Sequence, residues 1–174
     1  MDPLDLFDRG SAWTKGKIAS SQDRLNVSTC CDDWNVRSVI NHLIAGQQVF
    51  QGAARGEPVS PPEGPPPDVI GDDPAQQYEE ARQATMTAFR EPGALEKAGP
   101  TLGIAFVDQV VHGSDLAKAT GQDATIPPDL AEAAFGMVNG RLDDNRGNFF
   151  KPAVPVPEDA PAQDKLLAYL GRKP

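Results

Sequence analysis

At 174 residues the chain is long enough to enclose a hydrophobic core without staples, and it is expected to form a single domain over residues 1–174. Its 25 acidic against 16 basic residues leave a formal charge of -9 and a pI near 4.6, a surface that repels phosphate backbones and excludes nucleic acid as a partner. No apolar run is long enough to cross a bilayer and no basic segment precedes an apolar stretch near Met1, so a cytoplasmic protein without membrane association is expected.

The first helix is predicted from Pro3 to about Gln22, with Asp2 as its cap and Leu4, Phe7, Ala12, Trp13 and Ile18 at loose helical spacing. Gly10 and Gly16 each cost it about 1 kcal/mol against alanine, which tertiary packing must offset. Cys30 and Cys31 follow as neighbours. Adjacent cysteines rarely meet disulfide geometry, and their spacing fits neither a zinc ribbon nor a redox motif, so they read as small buried or half-buried side chains. A second helix begins behind Asp33 or Asn35 and runs to about Ala53, with Val36, Val39, Ile40, Leu43 and Phe50 as its apolar stripe and His42 at the stripe's inner edge.

Residues 56–74 are too rich in proline for a helix or a paired strand and read as an extended connection, a spacer or a lid. Asp73-Pro74 starts a third helix to about Arg90, which Glu91-Pro92-Gly93 stops. The fourth begins at Thr101 or Leu102 and ends at Gly121; a fifth runs from Pro127-Pro128 to near Arg146. Residues 149–174 read as an extended tail, Phe149 to Pro157, then a short helix from Pro161 to Leu170. With no stretch of strand alternation, the fold class is all-α: four long helices with shorter additions.

Ligand sites in such bundles are built from side chains on facing helices. The chain has only two histidines, and each lies on the inner edge of a different core helix. Asp108 precedes His112 by one turn, so His42, Asp108 and His112 form a three-ligand set of the kind zinc uses when its fourth position stays open. Asp115, one turn beyond His112, reads as a supporting partner rather than a ligand. A plainer alternative stands beside this: Asp108 simply hydrogen-bonds His112, and His42 is unrelated. Trp13 and Trp34 read as core or cavity wall, Arg141 and Arg146 as solvent-facing.

The stretch Trp34-Asn35-Val36-Arg37-Ser38-Val39-Ile40-Asn41-His42-Leu43-Ile44-Ala45-Gly46 resembles the second-helix motif of the DinB-like superfamily, in the actinobacterial branch related to the metal-binding domain of mycothiol-dependent maleylpyruvate isomerase. Asp108 to Gly121 resembles that branch's second metal motif, and the tail from Phe149 through Arg172 its closing pattern. The resemblance implies a four-helix bundle that binds zinc or nickel through His42, Asp108 and His112. Two departures are visible: aspartate at 108 replaces glutamate, one methylene shorter, and Ser114 stands where relatives often carry tryptophan. The isomerase's additional C-terminal domain is not expected here.

What the resemblance implies for function is a thiol-dependent transferase or isomerase, with mycothiol as co-substrate and a small electrophile as substrate, working as a monomer or homodimer. Two other classes compete. One is a non-catalytic metal-binding sensor or scaffold; the other is a metal-independent cyclase or isomerase using the bundle cavity with Asp108 or Asp115 as acid or base.

Overall fold

A computed structural model describes residues 1–60, 64–142, 146 and 150–174. Among these residues it is all-helical: α1 Pro3–Ala19, α2 Val36–Arg55, α3 Pro74–Arg90, α4 Ala94–Ala98, α5 Thr101–Thr120, α6 Pro128–Val138 and α7 Ala162–Tyr169. The described residues form no strand; one isolated antiparallel bridge joins Ser28 to Asn35. The chain divides into two compact units, Met1–Ala124 and Thr125–Pro174. No helix among the described residues is long and apolar enough to cross a membrane.

In the first unit α1 packs on α5 and α3, and α2 packs on α3 and α5, so the four long helices close a ring, each touching two others. Local chemistry sets their starts. The Asp2 carboxylate accepts from the Leu4 amide, Asn35 from that of Ser38 and Asp73 from that of Gln76, each satisfying an amide that has no partner within its helix. Of the two expected caps for α2, Asn35 is the one used. The core between them gathers Val36, Ile40 and Leu43 of α2 with Ile18, Tyr78 and Leu116, all fully buried. At about 25 cal/mol per Å² of apolar surface, this burial is the main force holding the ring together.

α1 and α5 approach closely because two glycines let them. A Cβ on Gly10 would lie 2.9 Å from the Phe106 ring, and one on Gly113 only 2.5 Å from the Trp13 ring and 2.6 Å from Thr14 Oγ1. Thr14 Oγ1 in turn donates to the Gln109 carbonyl at 2.8 Å, a bond between the two helices. The packing that Gly10 required is thus present, whereas Gly16 has no neighbour that explains it.

The proline-rich connection is held rather than loose at its far end. Asn41 Oδ1 accepts from the amides of Val69 and Ile70, and its Nδ2 donates to Asp68, which also takes a two-pronged bond from Arg37. Ile70 is thereby set into the core. The connection's Pro61, Pro62 and Glu63 lie outside the described residues.

Helix ends differ from expectation in three places. α1 stops at Ala19, where Ser20 and Ser21 turn the chain. The short α4 fills the expected break after Gly93. α6 ends at Val138, before the turn at Asn139-Gly140, rather than near Arg146. In the second unit α6 packs on α7, with Leu130, Ala134, Leu166 and Leu167 buried. The tail is non-helical from 151 to 157, and the Val154 amide donates to the Ala168 carbonyl; Phe149 lies outside the described residues. Arg146 is not simply solvated: it donates to the Tyr169 carbonyl at 2.6 Å and lies over that residue's ring.

Candidate metal centre

Helical spacing brings Asp108, His112 and Asp115 to successive turns of α5, and the packing of α2 on α5 supplies His42 opposite them. His42 Nε2 lies 3.0 Å from Asp108 Oδ1, and His112 Nε2 lies 3.5 Å from the same oxygen. One ligand atom from each of the three residues falls within 4.8 Å of the others. The donor atoms of a zinc tetrahedron, with metal–ligand bonds of about 2.0–2.1 Å, stand about 3.3 Å apart, so these two separations lie within a few tenths of an ångström of that spacing. Aspartate at 108 reaches the histidines despite its missing methylene.

The surroundings orient these groups. His112 Nδ1 is 3.0 Å from Asp115 Oδ2. A carboxylate only accepts, so this contact favours a proton on Nδ1 and turns Nε2 toward His42 and Asp108. Asp115 is 2% exposed, a buried charge that needs such partners. The second oxygen of Asp108 accepts from Gln109 Nε2 at 3.2 Å, and Gln109 Oε1 accepts in turn from the Tyr78 hydroxyl of α3. Burial holds the Tyr78 phenol well above its ordinary pKa, so it remains a donor. A line of bonds therefore runs from α3 through α5 to His42 on α2.

Burial alone pushes His42 toward its neutral form. The charge of Asp108 and its hydrogen bond act the other way and prevail, which leaves the pKa above 6.5. The proton this pair holds must leave before the imidazole can act as a ligand. Trp34 forms a wall, its ring centroid 5.1 Å from that of His42 and 6.0 Å from that of His112; the two imidazoles meet edge to face at 4.8 Å. Ser114 is wholly buried, its hydroxyl without a hydrogen-bond partner among the described residues.

The four residues singled out by spacing are therefore all brought together. Four others were not foreseen at the site. Gln109 and Tyr78 carry no local signal beyond their helix positions. The cysteines, read as small packing residues, are placed with Cys30 exposed and Cys31 half-buried, both against Asp115. Two surface hollows of about 340 and 360 Å³ lie elsewhere, beside Gln48 and Glu57 and beside Leu4 and Phe89, and neither is lined by Asp108 or Asp115.

No family model matches the chain, and no solved structure matches it. Over 187 residues it is 30% identical to the uncharacterized protein Rv0738 of Mycobacterium tuberculosis strain H37Rv, covering 99% of this chain and 98% of that one. The uncharacterized protein MT0763 of strain CDC 1551 is similar to the same extent.

Proposed function

The chain belongs to the family of these two Mycobacterium tuberculosis proteins, and we propose that it is a DinB-like protein that binds a divalent cation through His42, Asp108 and His112. The observation that carries this is the convergence of two imidazole nitrogens and a carboxylate oxygen from α2 and α5, with Asp115 fixing the tautomer of His112. Two nitrogens and one oxygen suit zinc or nickel.

On this reading the protein is a thiol-dependent transferase or isomerase. The resemblance to the mycothiol-dependent branch supports that class, and a site built from three protein ligands supports an open position for a small molecule. A bound divalent ion would supply Lewis acidity, stabilising the thiolate of a low-molecular-weight thiol such as mycothiol or polarising a carbonyl of the electrophile. The chain's own part is to hold and orient. Asp115 keeps the His112 proton on Nδ1, Gln109 fixes the Asp108 carboxylate, and Trp34 shields both imidazoles on one side.

A scaffold reading competes, because His42 and Asp108 already join α2 to α5 by themselves. Elemental analysis of tag-free wild type beside His42→Ala and His112→Ala tests the site. The expected result is bound metal in the wild type, with one equivalent lost in each variant. Absence of uptake after incubation with zinc and nickel, or uptake indifferent to both substitutions, overturns it. Metal-loaded protein that neither binds nor turns over a low-molecular-weight thiol across a panel of electrophiles removes the transferase reading and leaves the scaffold.

A further inference from the structure

We propose that Cys30, Cys31 and Asp115 form a second cation site, beside the histidine centre and sharing Asp115 with its support, suited to a thiophilic ion of the zinc and cadmium kind. Cys30 Sγ lies 3.0 Å from Asp115 Oδ1, and Cys31 Sγ lies 3.4 Å from Oδ2, so each carboxylate oxygen faces one thiol. The three ligand atoms fall within 4.8 Å of one another. These are the chain's only cysteines, and 84 or more residues separate them from Asp115 in sequence.

Neighbouring side chains in extended backbone point to opposite sides. Here a tight loop turns both sulfurs to the same carboxylate. The Ser28–Asn35 bridge closes it. Within it the Thr29 amide donates to the Trp34 carbonyl at 3.1 Å, the Cys31 amide to Thr29 Oγ1 at 3.1 Å and the Trp34 amide to the Cys31 carbonyl at 3.1 Å. Asp33 adopts φ 59°, a conformation uncommon outside glycine, which these bonds sustain. The two sulfurs are not joined, and adjacency strains a disulfide between them while leaving them able to chelate.

Two sulfurs and one oxygen make a softer donor set than the two nitrogens and one oxygen beyond His112. Binding replaces the two thiol protons, which leave to solvent, by one divalent ion bonded to both thiolates and to the carboxylate. No electron moves. Exposure of Cys30 gives the ion a way in, and the burial of Asp115 gives it an anchored oxygen. Unlike the histidine centre, this site needs nothing from α2's His42.

Titration with Cd2+ under a non-thiol reductant, followed by sulfur-to-metal charge-transfer absorption, tests the assignment. Wild type should take up two equivalents, one with the sulfur band. His42→Ala should keep the band, and the double variant Cys30→Ser/Cys31→Ser should lose it while retaining the other equivalent. Asp115→Asn should weaken the sulfur-linked binding by at least about tenfold. Wild type that saturates without the band overturns the proposal, with no reliance on any variant folding. Unchanged affinity in Asp115→Asn also overturns it, since a loose dithiol would then account for the uptake. One equivalent, with the band and indifferent to His42→Ala, sinks the histidine centre instead and leaves this site standing.

Discussion

Asp115 touches three groups that chemistry could use: His112 Nδ1 and both cysteine sulfurs. Its replacement by asparagine would leave a neutral acceptor beside Nδ1, so Nε2 becomes a poorer donor. In a Cys30→Ser/Cys31→Ser background, Asp115→Asn is expected to weaken metal binding at the histidine centre by about 10–100-fold, read by competition with a chromophoric chelator. Equal affinities would show that Asp115 does not act through His112. At this scale the sequence is legible where one helix carries the information. Asp108, His112 and Asp115 share a stripe because of their spacing alone, and His42 stands out as the other of only two histidines. The thiols' place beside Asp115 is not legible, because it depends on how the 28–35 loop folds across α5, and no local pattern encodes that. Gln109 and Tyr78 were hidden for the same reason, their bond being made between helices.

Among elements, the decisive contact is that of α1 with α5 at Gly113, the residue after His112. Alanine there gains about 1 kcal/mol of helix propensity. Its Cβ, however, would sit 2.5 Å from the Trp13 ring and 2.6 Å from Thr14, and such overpacking costs about 1–3 kcal/mol. The second effect prevails, since Thr14 is itself tied to the Gln109 carbonyl and cannot swing aside without losing that bond. Gly113→Ala should therefore lower the Tm and weaken metal binding together; a Tm at or above that of wild type would show that α1 yields without cost. Helix starts were legible because Asp2-Pro3, Asn35 and Asp73-Pro74 each combine a capping oxygen with a compatible next residue. The end of α6 was not, because alanines and methionine continue the helical pattern up to the turn that breaks it.

For the first unit as a whole, a polar clamp ties α3 to α1. Arg82, nearly buried, grips Glu79 with two nitrogens at 2.9 and 3.0 Å and reaches Asp8, while Lys15 approaches Glu79 at 3.3 Å. Bonds from Arg82 hold the Glu79 carboxyl down to about 2, against an ordinary 4.5. A depressed carboxylate stabilises the fold fully above the unfolded value, and that contribution is lost as pH falls from about 4.5 toward 2. Glu79→Gln should thus cost about 1–2 kcal/mol at pH 7 and show a flatter decline than wild type across that acid window, read from urea midpoints. Parallel curves would place the acid sensitivity elsewhere. The all-helical class was legible at this scale from periodicity, whereas the division of the chain at Ala124 was not, since no linker composition marks it. One junction links these scales. Asn35 both closes the cysteine loop through its bridge to Ser28 and caps the helix that bears His42. Melting the first turn of α2 and loosening the loop that aims both thiols at Asp115 are consequently a single cooperative opening.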